Sequence, residues 1–118
     1  MVALFRRLIT GPSNLPRRQT HSVRPGCIAI ADAPLGRVVR VSGDIASVVL
    51  RPETTVQALE AEIDDGSARL VIVWLGRGSI RGIEPGRGII IEGRVVSANG
   101  QLLMHNPRYE LLPRGAAE

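Results

Sequence analysis

Apolar and polar residues alternate from Arg37 to Ile45, with Val39, Val41, Gly43 and Ile45 on one side of the chain and Arg40, Ser42 and Asp44 on the other. A period of two over that length predicts a half-buried β-strand. The pattern returns over residues 88–95, where Ile89, Ile91, Gly93 and Val95 share one parity and Ile90, Glu92 and Arg94 the other. Each strand carries a glycine on its inward register. Glycine weakens a strand interior unless the chain bends sharply or a second backbone comes close, so the matched pair Gly43 and Gly93 predicts closure of a barrel. Two further strands are predicted at residues 56–63 and 69–75, joined by Asp64-Asp65-Gly66-Ser67, whose Asp-Gly pair is a hairpin signal. A fifth, residues 101–105, follows Asn99-Gly100, the strongest two-residue turn signal. The link over residues 76–87 is too rich in glycine for a good helix. Within it Ile80 and Ile83 are spaced to plug one end of a barrel from a single turn, and Pro85-Gly86 fits the centre of a type II turn.

Three strands, a plug and two strands form the order of a five-stranded OB-fold barrel, an all-β fold preceded here by a basic arm. An SH3-like or Sm-like barrel is the alternative, and it places its plugging turn elsewhere in the order. The chain of 118 residues allows one domain with a core. Phe5, Trp74 and Tyr109 are its only aromatics, so the core is aliphatic, which tells against a large cofactor pocket walled by rings; no cofactor is expected. All 15 basic residues are arginine, which excludes a phosphate-loop lysine, a Schiff-base lysine and a Ser-Lys catalytic pair. Cys27, the single cysteine, forms no internal disulfide, and no apolar run approaches the roughly 18 residues of a membrane span. A reducing, aqueous compartment is expected, the cytoplasm by default, with no membrane partner.

The formal charge of +4 is unevenly divided. Arg6, Arg7, Arg17, Arg18 and Arg24 precede the first acid, Asp32, whereas from Cys27 onward ten arginines face eleven acids, a formal charge of −1. The expected organisation is a Pro-containing arm over 1–26, a barrel over 27–113 and a short tail over 114–118. Phe5, Leu8 and Ile9 fall at helical spacing before Gly11 and Pro12, which predicts a short N-terminal helix. The apolar stretch is too short for a secretory signal, and a mitochondrial-type presequence fits in composition only. The five arginines read as an electrostatic tether for phosphate or as charges on a solvated terminal extension.

The segments Asp65-Gly66-Ser67, Leu70-Val71-Ile72-Val73-Trp74-Leu75-Gly76, Gly82-Ile83-Glu84-Pro85-Gly86-Arg87, Glu92-Gly93-Arg94 and Asn106-Pro107-Arg108-Tyr109-Glu110-Leu111 resemble the short stand-alone OB-fold proteins of high-GC bacteria. These are classed with the anticodon-binding type of OB domain. The resemblance covers residues 27–113, is most specific in Val73-Trp74-Leu75-Gly76 and in residues 106–111, and leaves the arm outside. It implies nucleic-acid binding.

OB barrels that hold single strands use the outer face of strands two and three, with aromatic side chains stacking on bases. If Val71, Val73 and Leu75 point inward, Leu70, Ile72 and Trp74 lie outside, and Trp74 becomes a stacking platform worth about 1–3 kcal/mol per base. With the opposite parity it is a core residue. Strand two tells against binding, because Leu59, Ala61 and Ile63 inward leave Glu60, Glu62 and Asp64 outward. These carboxylates either accept hydrogen bonds from base amino groups or form a cross-strand network with Arg69 and Arg94. Arg51, placed in the loop after strand one, and Arg40 and Arg94, outward on strands one and four, are candidate phosphate or base ligands or else solvated surface charges. Arg108 and Tyr109 extend the binding face, or Tyr109 instead latches across the barrel. Ser97-Ala98-Asn99-Gly100 is too short to clamp a ligand, so the expected footprint is at the low end of the roughly 4–16 nucleotides held per OB fold.

Catalysis has thin support. His21 lies in the arm and His105 ends a strand, and no Cys-His pair stands at metal-ligand spacing, so no catalytic or metal-binding residue is expected. Cys27 reads as a small buried residue where the domain begins, or as an exposed thiol near Arg24. The expected function is binding of single-stranded DNA or RNA with little sequence choice, without enzymatic activity. The alternative is a protein-interaction module using the acidic outer face of strands two and three or a sheet edge.

Overall fold

Seven strand segments make one sheet in the computed structural model, which describes residues 23–51 and 57–113. The expected N-terminal helix, the tether residues Arg6, Arg7, Arg17 and Arg18, His21 and the tail over 114–118 lie outside the described residues. The segments are β1 (Val38–Arg51), β2 (Ala58–Asp64), β3 (Arg69–Leu75), β4 (Gly88–Arg94), β5 (Val96–Ala98), β6 (Gln101–His105) and β7 (Arg108–Leu111), with one 3-10 turn at Ile30–Asp32 ahead of them. Their order across the sheet is β5-β6-β3-β2-β1-β4-β7. Every ladder is antiparallel except β3 with β6, which is parallel.

The all-β expectation holds, but a closed barrel of five strands does not describe this sheet. Its end segments, β5 and β7, share no ladder. The extra segments arise because two long strands are each broken. Val96 pairs with Leu103 across the Asn99-Gly100 turn, both of whose residues have positive φ as the tightest hairpins require. Beyond the break Glu92 pairs with Arg108, one residue out of step. The additional residue belongs to the second strand, where Asn106 adopts a φ of 47° and Pro107 follows. Asn106 is pinned there from two directions. Its amide donates to the Val73 carbonyl at 2.7 Å, and its side-chain oxygen accepts from the Leu75 amide at 3.0 Å. β6 therefore runs with β3 up to this point, and the chain then turns away to pair with β4.

β1 is longer than expected. It passes the predicted end at Ile45 through a bulge at Ala46 and continues to Arg51, so Arg51 is a strand residue and not a loop residue. The first half of β1 pairs with β4 and the second half with β2. Gly43 stands where this bend brings β1 onto β2: a Cβ there would lie 2.7 Å from the Asp64 carbonyl oxygen. At Gly93 the near neighbour is Met104, whose sulfur would lie 2.8 Å from such a Cβ. Gly43 thus marks a close approach of two backbones and Gly93 makes room for a side chain, but the barrel closure that their matched parity predicts is not found in this sheet.

The parity expected for the third strand is reversed. Asp64 pairs with Arg69 across a four-residue turn, and the ladder continues as Ile63 with Leu70, Ala61 with Ile72 and Leu59 with Trp74. Directly opposed residues of an antiparallel pair share a face. Because Leu59, Ala61 and Ile63 face inward, Leu70, Ile72 and Trp74 must do so too, and Val71, Val73 and Leu75 face outward. The core is built from these residues together with Val39, Val41, Ile45, Ile89, Ile91, Val95 and Met104. Ile30 packs against it, and Ile80 and Ile83 plug it from the link between β3 and β4.

Candidate nucleic-acid interface

Two outer faces follow from the register. The first is the outer side of β2 and β3 with the second half of β1, where OB barrels that hold single strands take up their ligand. Trp74 is absent from it. The indole is 4% exposed and Ile72 is fully buried, so neither is available to stack on a base. Across the core the Trp74 ring meets Tyr109 edge-on, with centroids 5.7 Å apart and planes at 75°. Tyr109, opposite Ile91 on β4 and 40% exposed, closes over Trp74 as a latch.

What this first face does present is carboxylate held by arginine. Arg69 reaches Glu62 at 3.0 Å and Asp64 at 3.2 Å, and Arg51 reaches Glu60 at 3.3 Å. Arg94 takes no part in that network; its guanidinium donates to the Gly36 carbonyl. Two arginines against three acids leave an excess of negative charge. Between them lies a shallow depression lined by Ser47, Val49, Glu62, Val71 and Gln101, among others. The same face offers exposed Val49 and Leu75, the latter expected inside and found 50% exposed.

The second outer face belongs to β4, β7 and the first half of β1. Arg40 stands opposite Glu92, which stands opposite Arg108. One row away, Val38 stands opposite Arg94. Arg40 bonds to Glu92 at 3.5 Å and to Glu110 at 3.8 Å, while Arg108 has no ion-pair partner among the described residues. Arg24, the one described residue of the expected tether, lies in the segment leading to Ile28, whose amide donates to the Arg40 carbonyl at 2.9 Å. Cys27 in that segment is a free, half-buried thiol.

One buried acid, Asp65, organises the turn between β2 and β3. One of its oxygens accepts from the Ser67 amide at 2.8 Å, the Ser67 hydroxyl at 2.6 Å and the Ala68 amide at 3.1 Å. The other accepts from the Ile30 amide at 2.8 Å and so ties the 3-10 turn to the hairpin. Burial by itself would raise the carboxyl pKa, but these hydrogen bonds outweigh it and hold the group below its ordinary value of 3.8. Sequence reasoning had used Asp65 only as a turn former. The cue to its second role is the Asp-x-Ser spacing, which lets an aspartate bond to the backbone two residues on. Asn106 was likewise quoted without a role, although an asparagine tolerates a positive φ and accepts a hydrogen bond at the same time.

Neither a protein-family model nor a curated protein sequence matches the chain. Among solved structures it is similar to part of RecG in a structure of RecG bound to a three-way DNA junction. That match has a TM-score of 0.60 at 24% identity, and covers 73% of this chain and 12% of the RecG chain. The likeness is one of fold. Among the described residues no helix is long and apolar enough to cross a membrane.

Proposed function

We propose that this chain is an OB-type protein that binds single-stranded nucleic acid with little sequence choice and without catalysing a reaction. The observation that carries the reading is the likeness of fold to a segment of RecG, a protein seen bound to a DNA junction. The order of the sheet supports the OB assignment. β1 pairs with both β2 and β4, β3 runs parallel to β6, and the link with Ile80 and Ile83 plugs the core between β3 and β4. An arm rich in arginine and free of acids supplies salt-sensitive attraction to phosphate.

The test is fluorescence anisotropy of labelled oligothymidylate and oligouridylate titrated with the full chain over a range of salt. A second protein has Arg6, Arg7, Arg17 and Arg18 replaced by Gln. Saturable binding is expected for the natural chain, with a salt slope that shrinks in the variant by at most about 2.8, the value for four single-strand phosphate contacts, and leaves a remainder. Absence of binding at low salt overturns the reading. A protein-interaction module is the second reading, favoured by the paired carboxylates of β2 beside exposed Val49 and Leu75. It predicts no binding of nucleic acid beyond the arm's contribution.

A further inference from the structure

We infer that the phosphodiester backbone of a single strand lies on the outer face of β4, β7 and the first half of β1, held by Arg94 and Arg108, and not on the face of β2 and β3. The inference rests on the nucleic-acid reading and says where on the molecule the ligand sits.

Three observations lead to it. The first is charge. The rows Val38–Arg94 and Arg40–Glu92–Arg108 carry three arginines and one acid. Glu110 lies one row further, within reach of Arg40, and Asp44 two rows further, opposite Gly88. Negative charge on this face is therefore graded away from Arg94. Over this whole face three arginines meet three acids, whereas the face of β2 and β3 sets Glu60, Glu62 and Asp64 against only Arg51 and Arg69.

The second observation is spacing. Arg94 is the diagonal neighbour of both Arg40 and Arg108 in the two ladders, a separation of about 7–8 Å between backbones. Glu92, opposite both Arg40 and Arg108, supplies one negative charge to the three guanidinium groups. Glu92 neutralises Arg40 at 3.5 Å, yet Arg108 has no carboxylate partner among the described residues and Arg94 only a backbone carbonyl. Guanidinium groups in that state are free to make forked contacts with phosphate oxygens. A shallow depression lined by Arg40, Ile90, Glu92, Arg108, Tyr109 and Glu110 lies between these strands, and Val38, 57% exposed, stands opposite Arg94 in the next row.

The third observation is where the arm joins. Ile28 bonds to Arg40 of this same region of β1, with Arg24 just ahead of it in the chain. The segment that carries Arg24 therefore meets the edge of the first half of β1.

The experiment compares two double variants of the full chain, Arg94→Gln with Arg108→Gln, and Arg51→Gln with Arg69→Gln, by anisotropy with labelled oligothymidylate. The first pair is expected to weaken binding tenfold or more and to lower the salt slope by about 1.4, the value for two single-strand phosphate contacts. The second is expected to stay within about twofold, because its arginines serve carboxylates. Arg94→Gln also removes the bond to Gly36, so Trp74 emission and urea midpoints establish that each variant is folded. Backbone amide shifts of the natural chain give an independent reading, and residues 90–94 and 108–110 should move with oligonucleotide. Shifts confined to residues 60–62 and 71–73, or a larger loss in the Arg51 and Arg69 variant, overturn the placement. So does unchanged binding in the Arg94 and Arg108 variant while the natural chain binds. If the natural chain itself binds no oligonucleotide at low salt, the functional reading fails with it.

Discussion

Replacing Asp65 by Asn tests whether one buried carboxylate fastens the 3-10 turn to the hairpin of β2 and β3. The carboxylate accepts four hydrogen bonds and is 5% exposed. Asparagine has one acceptor oxygen, and the three donors of Ser67 and Ala68 will hold it on the turn side. Its NH2 group then faces the Ile30 amide, donor against donor, at a residue 1% exposed. An unsatisfied buried donor costs about 1–3 kcal/mol, and the surviving bonds lose their ionic strengthening. The expected loss is about 2–4 kcal/mol, read from urea unfolding followed by the emission of Trp74. Its pH dependence has a definite sign. The carboxyl pKa is lower in the folded chain than in the unfolded one, so its stabilisation is fully present above the unfolded value and fades as pH falls through the folded one. The natural chain should therefore exceed Asp65→Asn by a constant margin from pH 7 to pH 5, and the margin should shrink below about pH 4. A margin under about 0.5 kcal/mol or one that stays level into strong acid would refute the reasoning.

Substitutions at four other positions separate packing from binding. Trp74→Ala should cost about 3–5 kcal/mol of stability as a large core truncation, and nucleic acid should leave the emission of the natural Trp74 nearly unchanged; a stability loss under about 0.5 kcal/mol would return the indole to the surface. Gly43→Ala should destabilise by about 1–3 kcal/mol, because its Cβ meets the Asp64 backbone, and Gly93→Ala by less, because the thioether of Met104 can move. Equal urea midpoints for the two would contradict that difference. Asn106→Ala loses both the hydrogen bond to Leu75 and tolerance for a positive φ; Asn106→Gly restores only the latter and should recover part of the midpoint.

How legible each strand was depended on whether its own residues contrast. In β1, β2 and β4 apolar residues alternate with charged ones, so only one side can be buried, and the inward sets Val39 and Val41, Leu59 to Ile63, and Ile89 and Ile91 were readable directly. From Leu70 to Leu75 every residue is apolar, and periodicity within such a run cannot choose a face. What decides it is nonlocal: Asp64 stands opposite Arg69, and that register carries the inward parity of β2 onto β3. Register also hides the broken strands. Asn106-Pro107 is visible as an interruption, but nothing local says that the chain resumes pairing with the same partner one residue out of step. The candidate arginines were found as residues, whereas their partners, and so their availability, depend on contacts between strands far apart in sequence.

Availability is what separates the two outer faces, more than the number of arginines on each. Exposed ion pairs such as Arg69 with Glu62 and Asp64 contribute about 0–1 kcal/mol, so a phosphate can draw the guanidinium away at little direct cost. The carboxylates left behind are then unpaired a few ångströms from the new anion, and their repulsion cancels much of the gain. On the face of β4 and β7 no such debt arises for Arg108, and Arg94 gives up only a backbone carbonyl. In the proposed placement a near-neutral domain takes up a polyanion on one side of its sheet and repels it from the other.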